Sequence, residues 1–530
     1  MADVCHAPAS GLRPQHSAAL PMIKLHGGVQ VATVLPNLGT TILRTLILLL
    51  SVASTVPGVS LAQVGPSRSS FEAGACVVEV AIDEKIDCGT LSVPENRAVA
   101  DSRMIRLPVI IFRSRAPEAL ADPIMFLTGG PGNSALTGQR SGRSNPFLEA
   151  RDQILLEPRG ARLSQPALEC PEINAAKGEI SAGRLRAEAA QAGLAMAAGA
   201  CRSRLSESGA DLNGYTSAEA ADDIEDLRLA LGYTKLNLYA LSYGTRLALT
   251  VARRHPLSVR AMVLDSALPP EVGYDETASA NTWRALNAVF DGCAVDPVCA
   301  AAWPNPRADF EALVARADSE RLPFDLTDSS IDPRGAEVVQ AVGGALQDPR
   351  RIPLIPRAVG AARAGRYQEM AAWITQAQGP SAFAWGLRLS VWCGEEAPFE
   401  NADRVRAQTS LDHGLGGMDA RAASPEICAA WNVAAASAVA NESVTTDIPT
   451  LIFAGEFDPS TPPQWGRGLL ANMPRAHFVQ MPGLSHGASF NPCAGRMAFD
   501  FINDPTTPPV LTCVAKFEGA DFAASAAEAD

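Results

Sequence analysis

A chain of 530 residues that is 47% hydrophobic and 19% charged can bury a large core, and holds either one large domain with an insertion or two domains. Its formal net charge of −13, with no basic stripe along the chain, argues against nucleic acid or an anionic membrane surface as a partner. Nothing in the composition marks disorder beyond the ends.

Near the N-terminus, Arg44 precedes an apolar run over 45–53, and Ser60-Leu61-Ala62 supplies a small-x-small site before Gln63. The run is too short for a comfortable membrane span, so residues 1–62 read as a leader and secretory signal peptide cut after Ala62, with an uncleaved anchor as the alternative. The residues before Arg44 do not form a compact charged region, which points to a start at Met22 or later. The mature protein is then expected to be secreted or periplasmic, without stable membrane association. Cysteine usage tests that compartment independently. Of eleven cysteines, Cys5 precedes the cut, and the remaining ten fall into sequential neighbours, as in the disulfide framework of an exported chain. The expected pairs are Cys76 with Cys88, Cys170 with Cys201, Cys293 with Cys299, Cys393 with Cys428, and Cys493 with Cys513, although sequence alone does not fix that connectivity. No CxxC pair or closely spaced histidines accompany them, so no metal is expected.

Residues 123–127 run into Thr128-Gly129-Gly130-Pro131-Gly132, and 153–156 into Glu157-Pro158-Arg159-Gly160; both read as buried strands ending in loops. Thr216-Ser217-Ala218-Glu219 has the pattern of a capping box, followed by Ile224, Leu227 and Leu231 on one helical face and by Gly232 as a stop. A mostly apolar run from Leu236 then ends in Ala240-Leu241-Ser242-Tyr243-Gly244. A serine with small residues two positions to either side suits a nucleophile elbow, a sharp strand-to-helix turn across which larger side chains would collide. The motif is short enough to occur by chance, and Ala240 stands where Gly is usual. A helix is expected to follow to Arg254, ended by His255-Pro256, and 261–264 reads as the next strand.

Over 270–446 the strand signal largely disappears, and Ala, Arg, Leu and Trp dominate. Trp283, Trp303, Trp373, Trp385, Trp392 and Trp431 lie in this helical insertion, where packing its own core is their expected role and lining an apolar pocket the alternative. The strand pattern resumes at 449–454 and 477–481. Alternating strands and helices on both sides of Ser242 indicate an α/β protein with a mostly parallel sheet flanked by helices. Its core is divided into a first part, 63–269, and a second part, 447–530.

A serine hydroxyl is a poor nucleophile and needs a base, itself oriented by a third group. After residue 62 the histidines are His255, His413, His477 and His486. The first three sit at the end of a helix, within the insertion and at the start of a strand. His486, in Pro482-Gly483-Leu484-Ser485-His486-Gly487, lies in a loop straight after a late strand, from which a base reaches over the sheet edge. An acid must precede it in the chain order of this architecture. Asp458, in a turn-rich segment just past the strand at 451–454, ranks first, Asp265 second and Glu456 third. Acyl transfer also needs two donors for the developing oxyanion. The N–H of Tyr243 supplies one, and Gly130 is the choice for the other, because Pro131 has no N–H.

Together these residues resemble the α/β-hydrolase family of proline iminopeptidases and tripeptidyl aminopeptidases, in particular exported bacterial members with a TAP-like C-terminal region. The resemblance runs over most of the mature chain, through 127–132, where Thr128 replaces the family's His, and 157–160, where Glu157 replaces Asp. It continues through 241–245, Asp458-Pro459 with Thr461-Pro462, Ser485-His486-Gly487, and Cys493 with Cys513. It implies an α/β-hydrolase fold with Ser242 as nucleophile, Asp458 as orienting acid, His486 as general base and 270–446 as a helical cap. Aminopeptidases of this type hold the substrate's free amine with cap carboxylates, for which Glu395 and Glu396 are candidates beside a structural role as a solvated pair or salt bridge. The expected activity is that of an exported serine hydrolase, cofactor-free, acting on short peptides with a free N-terminus. A carboxylesterase acting on small esters is the first alternative, and a catalytically silent binding protein the second.

Overall fold

The apolar runs that mark buried strands all enter one sheet of nine strands, ordered β1-β2-β3-β5-β4-β6-β7-β8-β9. The strands are β1 Ser70–Ala73, β2 Ile86–Pro94, β3 Met104–Phe112, β4 Ile124–Leu127, β5 Gln153–Leu156, β6 Leu236–Leu241, β7 Val259–Asp265, β8 Thr450–Gly455 and β9 Ala476–Met481. The computed structural model describes residues 69–185, 188–326, 333–377, 383–411, 424–517 and 519–523. The proposed signal peptide, Cys5 and His413 lie outside these. Strands β1 to β3 pair antiparallel, as does β3 with β5, and every pairing from β5 through β4 to β9 is parallel. The parallel strands are covered on both faces, which is why they read as continuous apolar runs. The antiparallel β1–β3 edge has no counterpart in the sequence reading: β2, IDCGTLSVP, carries Gly and Pro and no sustained apolar run.

Helices α1 Pro171–Ser181, α2 Glu188–Glu207 and α3 Ser217–Ala230 precede β6, and α4 Tyr243–Arg254 follows it. On one face of the sheet, Ala221, Ile224 and Leu227 of α3 pack with Leu247, Ala248 and Val251 of α4 against Leu238, Met262 and Ile452. The Thr216 side chain accepts the N–H of Glu219 at 3.1 Å, but the Glu219 carboxylate is drawn away to Arg97, so only half of the capping box forms.

Between β7 and β8 the described residues hold nine α-helices and no strand: α5 Tyr274–Val295, α6 Pro297–Ala302, α7 Pro306–Ser319, α8 Gly335–Ala345, α9 Ile355–Arg363, α10 Gln368–Ala377, α11 Trp385–Glu395, α12 Ala402–Leu411 and α13 Pro425–Trp431. Two cores divide them. Trp303 and Trp373 pack with residues of α5 and α7–α10 in a core built mostly from the insertion and joined by Phe457 and Phe522. Trp385 and Trp431 do not: they share a core with Ile173 of α1, Leu194, Ala198 and Leu205 of α2, and Tyr243. Long-range apolar matching of this kind leaves no local trace in the sequence. The chain closes with α14 Pro463–Gly468 after β8 and α15 Pro492–Asn503, whose Met497, Ala498 and Phe501 cover the other sheet face.

All five expected cysteine pairs are disulfides. The loop-entropy argument assigns roughly 3.5 kcal/mol to a closed loop the size of that between Cys170 and Cys201 and roughly 2 kcal/mol to that between Cys293 and Cys299, the separations being 31 and 6 residues. The double substitution Cys170→Ala/Cys201→Ala is therefore expected to lower the urea midpoint more than Cys293→Ala/Cys299→Ala; the reverse order would show that native packing, not chain entropy, sets their value.

Candidate active site

The parallel strands β4, β6, β7, β8 and β9 end on one edge of the sheet, and five loops meet there, which is where open α/β sheets present ligand sites. Ser242 occupies the turn between β6 and α4 with φ 58° and ψ −127°, a strained conformation for a residue with a side chain. Three contacts hold it. Its N–H donates to the Asp265 carbonyl at 3.0 Å, and its own carbonyl accepts the Thr245 N–H at 2.8 Å and the Thr245 hydroxyl at 2.6 Å. A Cβ on Gly244 would lie 2.3 Å from the Leu127 carbonyl oxygen, so glycine is obligatory there. Ala240 instead pairs with Leu127 within the β4–β6 ladder and is fully buried, a position at which a methyl fits.

His486 Nδ1 lies 3.0 Å from Asp458 Oδ2 and 3.1 Å from Thr461 Oγ1. Asp458 is wholly buried, and its carboxylate also accepts the N–H groups of Ser460 and Thr461, each at 2.9 Å, and the Thr461 hydroxyl at 2.7 Å. An ionised carboxylate only accepts, so Nδ1 carries the proton and Nε2 is left with its lone pair. Burial disfavours charge on both partners. For Asp458 the charge and hydrogen bond of His486, with the Thr461 donors, outweigh it and hold the carboxyl below its usual range. For His486 burial is outweighed by the charge and hydrogen bond of Asp458 and the charge of Asp265, so the imidazole is raised above 6.5.

The other two acids are engaged elsewhere. Asp265 is fully buried and accepts the N–H and hydroxyl of Ser489, and Glu456 accepts the Gly483 N–H at 2.8 Å. Both brace the His486 loop from either side. Ser266 adds to this, its hydroxyl accepting the Gly487 N–H at 2.9 Å. The backbone of Gly487 also lies against Leu241, the residue before Ser242. Among the described residues no hydrogen bond joins the Ser242 hydroxyl to His486; what the structure brings together is the Asp458–His486 pair and Ser242 on one strand edge.

Across from Ser242 runs the loop after β4. A Cβ on Gly129 would fall 2.9 Å from Ser242 Cβ, so the loop backbone passes directly over the serine. Gly130, at φ 120°, and Gly132, at φ 104°, give it a path closed to other residues. Glu157 sits fully buried beneath and accepts the N–H groups of Ala135 and Leu163 at 2.9 Å and the Ser134 hydroxyl at 2.8 Å, tying down the next stretch of loop.

Glu395 and Glu396 are buried rather than solvated. Glu395 accepts the N–H and the hydroxyl of Ser217, each at 2.5 Å, and that hydroxyl lies 2.8 Å from the Tyr243 phenol. Glu396 pairs with Arg246 of α4 at 2.5 Å. Burial pushes Glu396 well above the carboxylate range; Arg246 opposes it, while Glu400, Asp275 and Glu395 push the same way. Glu396 thus meets Arg246 behind the first turn of α4, with Glu395, Glu400 and Asp275 near enough to act against its charge.

This geometry coincides with the matches to known families. Residues 122–287 match the alpha/beta hydrolase fold, and 417–513 match the TAP-like protein family. The chain has the α/β-hydrolase fold, and its C-terminal part is similar to TAP-like proteins. Serine protease Hip1 of Mycobacterium tuberculosis is 25% identical over 458 residues, covering 80% of this chain and 86% of that protein. The tripeptidyl aminopeptidase of Streptomyces lividans is 30% identical over 225 residues, 40% of this chain and 41% of that one. A solved proline iminopeptidase of Mycobacterium smegmatis aligns with 78% of this chain and 97% of its own, at 14% identity and a TM-score of 0.36. By fold and kinship this hydrolase is a serine hydrolase.

Sequence reasoning about the hydrolase did not assign the roles of Thr461 beside Asp458 and His486, of Asp265 with Ser489, of Arg246 with Glu396, or of Arg388, whose Nη1 donates to the Gly130 carbonyl. Thr461 had a readable signal, since an Asp three residues before a Thr favours a side-chain-capped turn. The others act across long stretches of chain and have none. In the Asp458→Asn variant burial remains while the opposing charge is gone, so the His486 imidazole is expected to titrate lower than in wild type, by NMR of the ring; an unchanged value would show that Asp458 is not its electrostatic partner.

Proposed function

We propose that the protein is an exported aminopeptidase that releases N-terminal residues or short peptides through an acyl-enzyme. The observation that carries this reading is the Asp458–His486 pair standing on the strand edge at which Ser242 is held at φ 58°. In the proposed mechanism Ser242 Oγ attacks the scissile carbonyl while His486 Nε2 takes its proton. Asp458 stabilises the imidazolium. The tetrahedral oxyanion takes hydrogen bonds from the N–H of Tyr243, at the start of α4, and of Gly130. His486 then protonates the leaving amine, and water, activated by the same base, hydrolyses the Ser242 ester. No cofactor enters any step.

A free N-terminus as the recognised group is supported by the relatives' names and by the carboxylates around Arg246. Glu395 and Glu396 stand among an excess of buried acid that a substrate ammonium would neutralise. The helical insertion, 270–446, acts in this reading as a cap. Export to a secreted or periplasmic location is supported by the apolar leader and the five disulfides. Among the described residues no helix is long and apolar enough to cross a membrane.

A fluorophosphonate probe is expected to label the wild-type protein and to leave Ser242→Ala unlabelled, with kcat falling by about 10⁴-fold or more in that variant; labelling of the variant would rule out this nucleophile. Only neutral His486 accepts the serine proton. The acid limb of kcat/KM should therefore fall as pH drops through a value above 6.5 and shift to lower pH in Asp458→Asn, alongside a large loss of rate. Peptide amides with free N-termini should turn over faster than their N-acetylated forms, and Glu395→Gln/Glu396→Gln should erase the difference. Equal turnover of the two forms, with short esters preferred, would establish the esterase instead.

A further inference from the structure

The first turn of α11 lies along the loop that passes over Ser242. The Ala384 N–H donates to the Gly132 carbonyl at 2.9 Å, and Arg388 Nη1 donates to the Gly130 carbonyl at 2.7 Å. Arg388 is only 2% exposed and lies in the later part of the helical insertion, far along the chain from this loop. Its guanidinium is stacked between two aromatic rings, 4.7 Å from the Trp392 centroid and 5.3 Å from that of Phe383. The helix that carries it is itself anchored. The Gly386 N–H donates to the Leu168 carbonyl at 2.8 Å, an approach so close that a Cβ on Gly386 would sit 2.6 Å from that oxygen, and Trp385 Nε1 donates to Asn174 at 3.2 Å.

A charged guanidinium taken out of water is costly, and packing alone would be served by a neutral side chain; this one spends a charged donor on a loop carbonyl. The carbonyl it meets belongs to a glycine at φ 120°, in a loop with two further glycines and little stiffness of its own. Holding that carbonyl restrains the Gly130 backbone torsions, which link it to the direction of the Gly130 N–H. We propose that Arg388 is a positioning residue for the oxyanion site, holding the Gly130 N–H toward the oxygen that becomes charged during acyl transfer. The inference rests on the proposed roles of Ser242 and Gly130. It makes the helical insertion a structural part of the reaction site and not only a cover over it.

The distinguishing consequence is a defect in the transition state without one in the ground state, because an oxyanion donor is needed only once charge develops. In Arg388→Met, which keeps the stem and the apolar contacts, kcat on a peptide amide should fall about 100-fold with KM within threefold. Fluorophosphonate labelling of Ser242 should reach the wild-type stoichiometry but at a rate lowered to a similar degree. Arg388→Lys keeps the cation and its stack while losing the planar fork, and serves if the Met variant does not fold; its kcat should fall at least tenfold, again with KM within threefold. Wild-type kcat and labelling rate in folded Arg388→Met, or in Arg388→Lys if only that variant folds, would overturn the positioning role, as would a loss confined to KM. Ser242→Ala labelled in parallel separates the two claims: an unlabelled Ser242→Ala leaves the nucleophile standing whatever the Arg388 variants do, whereas a labelled one removes the reading on which the inference rests.

Discussion

The backbone of one residue constrains the rest of the site. Ser242 is held at φ 58° and ψ −127°, and a conformation that costs on the order of 1–3 kcal/mol persists only if its surroundings over-determine it. Those surroundings are the parallel pairing of β4 with β6, the 2.3 Å that a Cβ on Gly244 would leave to Leu127, and the Asp265 carbonyl at the end of β7. Each of these is sheet geometry. The serine is presented at the edge because the strands on both sides end in register, and the same register delivers Asp458 after β8 and His486 after β9.

Around that edge three arginines, of which Arg246 and Arg388 are fully buried, meet backbone carbonyls. Arg284 of α5 donates to the carbonyls of Glu456 and Asp458, and Arg388 of α11 to that of Gly130. Arg246 of α4 reaches the Pro269 and Pro270 carbonyls at 3.3 and 3.1 Å as well as Glu396. A loop carbonyl turned away from the solvent needs a donor, and a guanidinium offers several in a fixed plane. The acid loop, the glycine loop and the start of the insertion are therefore stiffened by side chains that are themselves packed, an arrangement suited to a site whose groups must stand still while charge moves.

What could be read from the sequence follows the range of the physics involved. The strands β4 to β9 were legible because burial on both faces writes itself as a run of apolar residues, and α3 and α4 because their stops, Gly232 and His255-Pro256, act within a turn of the helix. Asp458 and His486 were legible through chain order and loop position, and the cysteine pairs through sequential spacing. Arg388 was not, since a buried arginine and a surface one look alike until the fold supplies Gly130. The burial of Glu395 and Glu396 was likewise hidden, because Ser217 and Arg246 come from helices that precede the insertion. The joint core of Trp385 and Trp431 with α1 and α2 belongs to the same class: two apolar faces, each unremarkable alone, that are complementary only in space.

That joint core has a consequence for the order in which the protein assembles. The apolar faces of α1 and α2 emerge from the ribosome before Ser242, but their covers, α11 and α13, are made only after most of the insertion. Until then the N-terminal half carries a sizeable uncovered hydrophobic surface, and contacts of such long sequence separation close slowly and leave intermediates open to aggregation. The insertion is thus no detachable module. A truncated chain ending before α11 would lack the partner of its own second helix, and complete folding must wait for the late helices to arrive.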